Sequence, residues 1–399
     1  MTPVQAVPLG EVATLQAGVG FPMDLQGRST GHYPLAKVGD ISRGGRSGQA
    51  ILASSDHYVD EIDLDRLRTK PIPRGSILFA KIGEAISHNH RVIAGCDMLI
   101  DNNAMAAIPG PAVASRYLYH YLRTVDFYRL ASATTVPALR KSELEKIAIP
   151  LPPMAEQRRI AEVLDRAEAL RAKRRAALSQ LDTLTQSIFL GLFGDPHRNQ
   201  KGWPRKPMSE LFAAPPIFGS MIPPVAERRG WLALRVGNIQ DWTLDFNDRK
   251  YVDLPTGSVE RHTVKDGDLL LARAIASEEH LGKCVVANPR DEHWAFDSHL
   301  MRLRFDRQQA EPEFIRHLFM TPGGRRLFLG ASRKSTVQYN INTKEISALK
   351  IPVPPFSLQR EFAQHIARVE KLRVTHRISL SELGTLFAVL QHRAFRGEL

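Results

Sequence analysis

Ile149-Pro-Leu-Pro-Pro153 and Ile351-Pro-Val-Pro-Pro355 are two copies of one motif, 202 residues apart. The match continues without a gap, and residues 149–195 share 18 identities in 47 positions with residues 351–397. Upstream the offset drifts, so that Val38-Gly-Asp-Ile41 matches Val236-Gly-Asn-Ile239 more loosely. The sequence therefore predicts a tandem repeat in which a globular module is followed by a tail, twice, with tails that repeat strictly and modules that repeat loosely.

Each tail is predicted to be one long helix. No proline follows the Pro-Pro pair in either tail, and proline is tolerated just before a first helical turn. Apolar residues recur at alternating gaps of four and three, which is the a/d pattern of a coiled coil. A helix of this length cannot bury its seam inside a small module, so we expect the two helices to pair antiparallel. The packing positions are Ile160, Leu164, Leu178, Leu181 and Ile188 in the first tail and Phe362, Ile366, Val369, Leu380, Leu383 and Leu390 in the second.

A polar interruption occurs in the middle of both seams, at Arg171 and Arg174 in the first tail and at Arg373 and His376 in the second. Long arginine stems can cover the seam and carry their charge to solvent. Alternatively, a polar layer can fix the register of the pair, as buried polar groups do in coiled coils. Carboxylates at Asp165, Glu168 or Glu370 are the expected partners in the second case. The sequence leaves both interpretations open, beside a generic helical hairpin.

The modules are predicted to be α+β (mixed α/β) domains. Both contain short apolar runs broken by Gly, Pro and Asp, such as Ile77 to Ala80 and Asp268 to Ala272, and a helical stretch before the Pro-rich boundary. The chain thus divides into a globular module (1–153), a central long helix (154–195), a second module (196–355) and a C-terminal long helix (356–399). We expect an internal pseudo-two-fold repeat with the helices packed as an antiparallel coiled coil.

The net charge of +12, from 54 Lys+Arg and 42 Asp+Glu in 399 residues, is typical of proteins with polyanionic partners. It divides along these four segments as +2, +1, +6 and +3. Two cysteines can make neither a disulfide framework nor a Cys-type zinc site. No run of 18 apolar residues and no signal peptide is present, so we expect a cytoplasmic protein without a membrane partner.

Polar loops lie at matching points of the two modules and carry the residue types that read DNA grooves. Lys and Arg suit phosphates and guanine, and Asn and Gln suit adenine. The DNA-binding candidates are Lys37, Asp40, Arg43, Arg46, Lys81, His88, His90, Arg140 and Lys141 in the first module and Arg235, Asn238, Gln240, Arg273, Arg333, Lys334, Gln338 and Asn340 in the second. For each residue singly, an ordinary solvated loop charge is an equally good interpretation.

Sequence motifs for catalysis are missing. The chain has no G-x-x-x-x-G-K-[ST] phosphate loop, no G-x-G-x-x-G, no Asn/Asp-Pro-Pro-Tyr aminomethylation motif and no H-E-x-x-H. We therefore assign no catalytic residue and no metal ligand.

These features together resemble the specificity subunit of type I restriction-modification systems. The resemblance rests on residues 149–165, on Leu192-Phe-Gly-Asp-Pro196, on the second I-P-V-P-P, and on V-G-D-I and V-G-N-I in the modules, and it covers essentially the whole chain. It implies two target-recognition domains, each reading one half of a bipartite double-stranded DNA target, with the helices as spacer. It also implies a non-catalytic subunit that docks two methyltransferase (modification) subunits, with restriction subunits in the full complex. The chain itself is then expected to bind no cofactor, while S-adenosylmethionine, ATP and Mg are expected on the partner subunits.

Two other classes stay open at this point. A stand-alone DNA methyltransferase or nuclease would carry its own active site, and methyl transfer by the purified chain alone would reveal it. A coiled-coil adaptor that binds only protein would show no salt-sensitive DNA binding.

Overall fold

Strands form at the apolar runs that the sequence predicts, such as Ile77–Ala80. The computed structural model describes residues 5–132, 135–275, 280, 282–290, 292–334 and 339–399. The strands of the first repeat are β1 (Ala6–Pro8), β2 (Ala13–Ala17), β3 (Tyr33–Ala36), β4 (Ile51–Leu52), β5 (Tyr58–Val59), β6 (Ile77–Ala80), β7 (Arg91–Ala94), β8 (Leu99–Ile100), β9 (Ala104–Pro109) and β10 (Ala148–Pro150). Its helices are α1 (Leu9–Val12), α2 (Val38–Ser47), α3 (Glu61–Leu67), α4 (Ser115–Leu122), α5 (Lys141–Leu144) and the long α6 (Met154–Phe193).

The second repeat has a corresponding set of elements. Its strands are β11 (Arg205–Pro207), β12 (Phe212–Phe218), β13 (Trp231–Leu234), β14 (Ile239–Gln240), β15 (Thr243–Leu244), β16 (Tyr251–Val252), β17 (Leu269–Ala272), β18 (Ala274–Ile275), β19 (Cys284–Val286), β20 (Trp294–Phe296), β21 (Leu300–Phe305), β22 (Arg333–Lys334), β23 (Tyr339–Asn340) and β24 (Lys350–Pro352). Its helices are α7 (Val259–His262), α8 (Pro312–Met320), α9 (Pro322–Ala331), α10 (Thr343–Ala348) and the long α11 (Phe356–Ala394).

The strand order shows that the modules repeat in fold although their sequences match loosely. The first module contains a sheet of order β2-β9-β6-β7-β4, and the second a sheet of order β12-β21-β17-β19. A second sheet runs β5-β3-β8 in one and β16-β13-β20 in the other, each with one antiparallel and one parallel pairing. A two-stranded pair, β1-β10 or β11-β24, joins the start of each module to its Pro-rich end. The predicted mixed fold and internal repeat are therefore confirmed.

The chain forms two compact units, and each contains one module and half of each long helix. The first unit comprises residues 1–176 and 377–399, and the second comprises residues 177–376. The predicted division into four segments is made along the sequence and stays a prediction.

Each unit packs the start of one long helix against the end of the other, which is the predicted antiparallel arrangement. In the first unit Ile160 and Leu164 of α6 share a core with Leu390 and Ala394 of α11. In the second, Phe189 of α6 contacts Phe362 of α11 edge to face, with ring centroids 5.4 Å apart. The helices begin directly after Pro153 and Pro355 and are 40 and 39 residues long. Burial of aromatic and aliphatic side chains, at about 1.5–3 kcal/mol each, holds them in place.

Every predicted packing position is buried or half-buried. Ile160, Leu164, Phe362, Ile366 and Val369 are buried, while Leu178, Leu181, Ile188, Leu380, Leu383 and Leu390 are half-buried. Their individual contributions to packing stay predictions.

The polar interruption of the seam has carboxylate partners in both units. Arg171 forms an ion pair with Glu168 (3.4 Å), and its guanidinium lies 4.9 Å from the ring centroid of Phe387. Arg373 is 5% exposed and forms ion pairs with Glu370 and Asp182. The burial of Arg373 favours a polar layer over a solvent-reaching stem in the second unit.

Candidate nucleic-acid interface

Two buried glutamines attach the modules to the helix starts. Gln157, at 1% exposure, accepts the N–H of Ala114 (2.8 Å) and donates to the carbonyls of Ala112 (3.0 Å) and Pro152 (2.9 Å). A side-chain amide has donors and an acceptor to satisfy, and this one finds all its partners in the backbone that precedes α4 and α6. It therefore fixes the angle at which α6 leaves the module.

Gln359 repeats this arrangement in the second unit. It is fully buried, accepts the N–H of Glu311 (3.0 Å) and donates to the carbonyls of Gln309 (3.4 Å) and Pro354 (2.9 Å). We call Gln157 and Gln359 the glutamine clamps. They explain why the Gln that follows each Pro-Pro pair recurs in the two tails.

A group of charged and polar residues meets at the ends of three strands in the first unit. Lys37 follows β3, Lys81 follows β6, and Asp101 and Asn103 form the turn between β8 and β9. The parallel pairing of β3 with β8 places the N–H of Asp101 on the carbonyl of Ala36 (3.0 Å). The N–H of Lys81 donates to the carbonyl of Asn103 (2.7 Å). These four residues are the first loop cluster.

The second unit builds the same cluster from the corresponding strand ends. Arg235 follows β13, Arg273 follows β17, and Asp297 and His299 form the turn between β20 and β21. The N–H of Asp297 donates to the carbonyl of Leu234 (3.0 Å), and that of Arg273 donates to the carbonyl of His299 (3.2 Å). These residues are the second loop cluster.

Both clusters require a glycine beside the aspartate. A Cβ on Gly18 would lie 1.9 Å from the carbonyl oxygen of Asp101, and a Cβ on Gly219 would lie 2.3 Å from that of Asp297. Such distances are far inside van der Waals contact, so only glycine allows this close approach of the backbones.

The cluster aspartates are desolvated. Burial raises the pKa of Asp101, and hydrogen bonds from Asn103 with the charge of Lys37 offset the shift only in part. Burial likewise raises the pKa of Asp297, against the opposing effect of His299 and Arg235. Asp101 Oδ1 has no hydrogen-bond partner within the described part of the chain. A carboxylate oxygen in this position can accept a base amino group, while Lys and Arg donate to guanine or to phosphate.

The cluster cations are held by neighbouring groups, and Arg235 forms an ion pair with Asp248 (3.0 Å). Lys37 Nζ donates to Gln26 Oε1 (2.9 Å) and lies 5.3 Å from the Phe21 ring centroid. Arg273 lies 4.7 Å from the ring centroid of Phe218, and its Nε has no hydrogen-bond partner among the residues described. Side chains positioned on rings lose less conformational freedom when they bind a ligand.

Two of the candidate DNA contacts are engaged in capping. Asp40, at 7% exposure, accepts the N–H of Lys37 on Oδ2 (2.9 Å). Asn238, at 5% exposure, accepts the N–H of Arg235 (3.1 Å) and donates to the carbonyls of Asp245 and Asp248. Their polar atoms already have internal partners, which points to a role in positioning Lys37 and Arg235.

The remaining candidates are distributed around the modules. Exposed side chains belong to Arg43, Arg46, His88, Arg140, Lys141 and Gln240, and half-buried ones to His90 and Asn340. His88 and His90 lie at the opposite end of α2 from Lys37, because His90 contacts Gly45. Arg333 and Lys334 form β22, which pairs with Asn340 and Tyr339 of β23, and Gln338 lies outside the described residues. Contact with DNA stays a prediction for all of them.

Sequence reasoning missed the turn residues of the clusters. Asp101, Asn103, Asp297 and His299 were not among the candidates, although Asp101-x-x-x-Met105 and Asp297-x-x-x-Met301 share an offset of 196 residues. This offset is close to the 198 residues that separate Val38 from Val236, and that similarity was the available signal.

Within the described residues, no group of three or more His, Cys, Asp or Glu side chains could hold a metal ion. In the same part of the chain, every helix is too short or too polar to cross a membrane.

The fold resembles solved structures over nearly its full length. The S subunit of a type I restriction-modification system from M. genitalium superposes with a TM-score of 0.59 at 14% identity, covering 99% of both chains. A chain from another type I system gives a TM-score of 0.57 at 20% identity, covering 100% of this chain and 99% of that one. The repeated two-unit fold is thus that of type I S subunits.

Sequence comparison finds similar proteins of the same kind. Residues 1–180 match the model of the type I restriction modification DNA specificity domain. The EcoKI specificity subunit of Escherichia coli K12 is 24% identical over 312 residues, covering 73% of this chain and 67% of that protein. The StySPI specificity subunit of Salmonella potsdam is 22% identical over 316 residues with the same coverage. The chain is thus similar to the DNA specificity subunits of type I restriction-modification systems, the family that the sequence resembles.

Proposed function

We propose that each unit reads one half of a bipartite DNA target with its loop cluster. The observation that carries this proposal is that the same cluster is built twice, at the same strand ends, with different side chains. The backbone frame is common to both, whereas Lys37 and Lys81 in the first correspond to Arg235 and Arg273 in the second. Two similar frames with different donors suit two half-sites of different sequence.

Exchange of one module tests this proposal. Residues 1–150 are replaced by the corresponding residues of another family member, and the chain is expressed with its methyltransferase partner. Mapping the methylated motifs in cellular DNA is expected to show one altered half-site and one unchanged half-site. Altered recognition of both halves would contradict modular reading.

We also propose that the paired helices set the spacing between the half-sites. Their 40 and 39 residues correspond to about 60 Å of helix at ~1.5 Å per residue. Deletion of seven residues from both helices at matched positions removes about 10 Å. The spacer in the methylated motif is expected to shorten by about three base pairs, at 3.4 Å each. An unchanged spacer would argue against this role.

The helices are further proposed to dock methyltransferase subunits, one for each repeat. The tails repeat strictly in sequence, and the glutamine clamps present both helix starts in the same way. Two equivalent docking surfaces predict two methyltransferase copies per chain, which the mass of the purified complex measures. Restriction subunits join in the full complex.

The chain is proposed to be a cytoplasmic, non-catalytic subunit, with S-adenosylmethionine, ATP and Mg held by its partners. The experiment compares methyl transfer to DNA by the purified chain and by the chain with its methyltransferase partner. Transfer only in the second reaction is expected. Transfer by the chain alone would favour a stand-alone enzyme, and the absence of salt-sensitive DNA binding would favour a protein-only adaptor.

A further inference from the structure

A second polar feature of the first unit lies away from its loop cluster, at the other end of α2. It is a cavity of about 240 Å³ between the glycine-rich end of α2, the loop before β7 and the helices α4 and α6. The lining residues are Gly44, Gly45, Gly48, Gln49, His88, Asn89, His90, Arg91, Tyr119, Arg123 and Glu168. The loop cluster does not contain any of these side chains.

Positive charge exceeds negative charge around this cavity. Glu168 is the lone carboxylate in the described lining, and it is shared by Arg123 (3.0 Å), Arg171 (3.4 Å) and Arg175 (3.7 Å). Although burial acts to raise the pKa of Glu168, these arginines lower it overall. One carboxylate cannot neutralise three guanidiniums.

Arg91 adds a fourth guanidinium, which is 3% exposed. It donates only to neutral acceptors, the carbonyl of His90 (2.8 Å) and Oδ1 of Asn89 (2.7 Å), and lies 3.7 Å from the Phe127 ring centroid. Burial, with a smaller effect from Arg123, lowers the pKa of Arg91 to about 9, against the opposing charge of Asp126. Burying a charge is costly unless it is paired, and the hydrogen-bond acceptors of Arg91 in the described structure are neutral, so a nearby anion would be stabilised here.

Several donor atoms at the cavity are also unsatisfied. Arg91 Nε, His90 Nδ1 and Arg175 Nη2 are buried without a hydrogen-bond partner in the described structure. Arg175 reaches the cavity edge, where a Cβ on Gly48 would lie 2.6 Å from its Nη2. Gly45 allows the same close approach of His90, whose Cγ would lie 2.5 Å from an added Cβ. Small residues on α2 thus bring these nitrogen atoms to the cavity.

We propose that this cavity of the first unit binds an oxyanion of the phosphate class through the surrounding guanidiniums and His90. A tetrahedral oxyanion offers several acceptors to Arg forks and balances the excess of positive charge. Among the described residues the second unit lacks this buried guanidinium, because the register of β6 with β7 and of β17 with β19 places Cys284 at the position of Arg91.

The test measures binding of inorganic phosphate to the full chain by titration calorimetry, with chloride used to hold ionic strength constant. Saturable binding by the wild-type chain is expected. Gln49→Glu places a carboxylate in the lining from an exposed position, and repulsion is expected to weaken phosphate binding about tenfold. Gln364→Glu, on the exposed face of α11 in the second unit, adds the same charge elsewhere and is expected to bind phosphate like the wild type.

Three results would overturn the proposal. Chloride could give the same heat of binding as phosphate, the Gln49→Glu chain could bind phosphate like the wild type, or both variants could weaken phosphate binding equally. A second measurement distinguishes a DNA phosphate from a free anion as the occupant of the cavity. DNA binding is measured at several salt concentrations in the presence of the methyltransferase partner. If a DNA phosphate occupies the cavity, Gln49→Glu lowers the slope of log K against log salt by about 0.9. If a free anion occupies it, the slope is unchanged while phosphate binding is still weakened.

Discussion

The first and second units share their backbone arrangement and differ in the side chains that this backbone carries. Their larger sheets share one strand order over four strands, and both units contain the same glutamine clamp and the same turn that brings an aspartate beside a glycine. These shared features are buried backbone contacts, which tolerate little change. The comparison teaches that the repeat preserves the parts that hold each module to its helices.

The units differ in the side chains of the loop clusters and of the helix pair. The loop clusters exchange Lys37 for Arg235 and Asn103 for His299. Arginine presents a planar fork of donors, whereas lysine presents a compact, strongly hydrated charge, so the two clusters offer different donor geometry to a base edge. In the helix pair, Arg171 lies over Phe387, while Arg373 reaches the hydroxyl of Thr185 (3.5 Å). Similar frames therefore carry different recognition chemistry.

Removal of a glutamine clamp is expected to have the largest effect. Gln157→Leu or Gln359→Leu leaves one backbone N–H and two carbonyls without their partners, which costs roughly 3 kcal/mol of stability in the affected unit. All four tryptophans lie between residues 177 and 376, so tryptophan fluorescence in urea reports the second unit. Its midpoint is expected to fall in Gln359→Leu.

Hydrogen exchange measured by mass spectrometry reports the first unit, where Gln157→Leu is expected to lose protection. Gln364→Leu is the matched control, since Gln364 is exposed on α11, and surface substitutions usually change stability by about 0.5 kcal/mol or less. A large loss of stability in only one of the two clamp variants would contradict the equivalence of the two units.

Acid is expected to destabilise the second unit through His317. Burial, with the charge of Arg316, lowers the pKa of His317 to about 4. Between this value and the ordinary 6.5, the unfolded chain takes up a proton that the folded chain does not, so stability is complete above pH 6.5 and falls as the pH drops towards 4. Between pH 7 and pH 5 the loss amounts to about 2 kcal/mol.

Tryptophan-monitored urea unfolding of wild type and His317→Gln at these two pH values measures this contribution. The variant is expected to lose about 2 kcal/mol less between pH 7 and pH 5, whatever its stability at pH 7. His197→Gln, at an exposed position, serves as the control. His120 holds the corresponding position in the first unit and bonds to Asp165 (2.8 Å). The same buried histidine position therefore has different partners in the two units.

The helices and the repeat could be predicted from the sequence because their signals are local. Proline pairs and the heptad spacing place the starts of α6 and α11 directly after Pro153 and Pro355. The loop clusters could not be predicted, because Lys37 and Asp101 are 64 residues apart in the chain and meet only through the pairing of β3 with β8. The clamp residues were visible as a repeated Gln-Arg pair, but two of the three partners of each clamp lie more than 40 residues upstream.

Arg273→Ala is expected to relax recognition in one half-site only. A bidentate contact from arginine to a base is worth about 1–3 kcal/mol of discrimination. Methylated motifs mapped in cells that express the variant with its methyltransferase partner should tolerate new bases in the half read by the second unit. If Lys81 reads a base in the same way, Lys81→Ala relaxes only the other half, and an effect of either variant on both halves would remove the separation between the units.

The smallest expected effect concerns charge alone. If Lys81 contacts a phosphate, Lys81→Gln lowers the slope of log K against log salt by about 0.9 and weakens all DNA sequences alike. Binding of the chain with its methyltransferase partner to cognate and unrelated duplexes, from 50 to 200 mM salt, measures both quantities. Arg273→Gln is the matched change in the second unit. If the lysine reads phosphate and the arginine reads a base, the lysine variant keeps its preference for the cognate duplex and the arginine variant loses part of it. Loss of preference in both variants would mean that the two clusters use their cations in the same way, despite the different side chains.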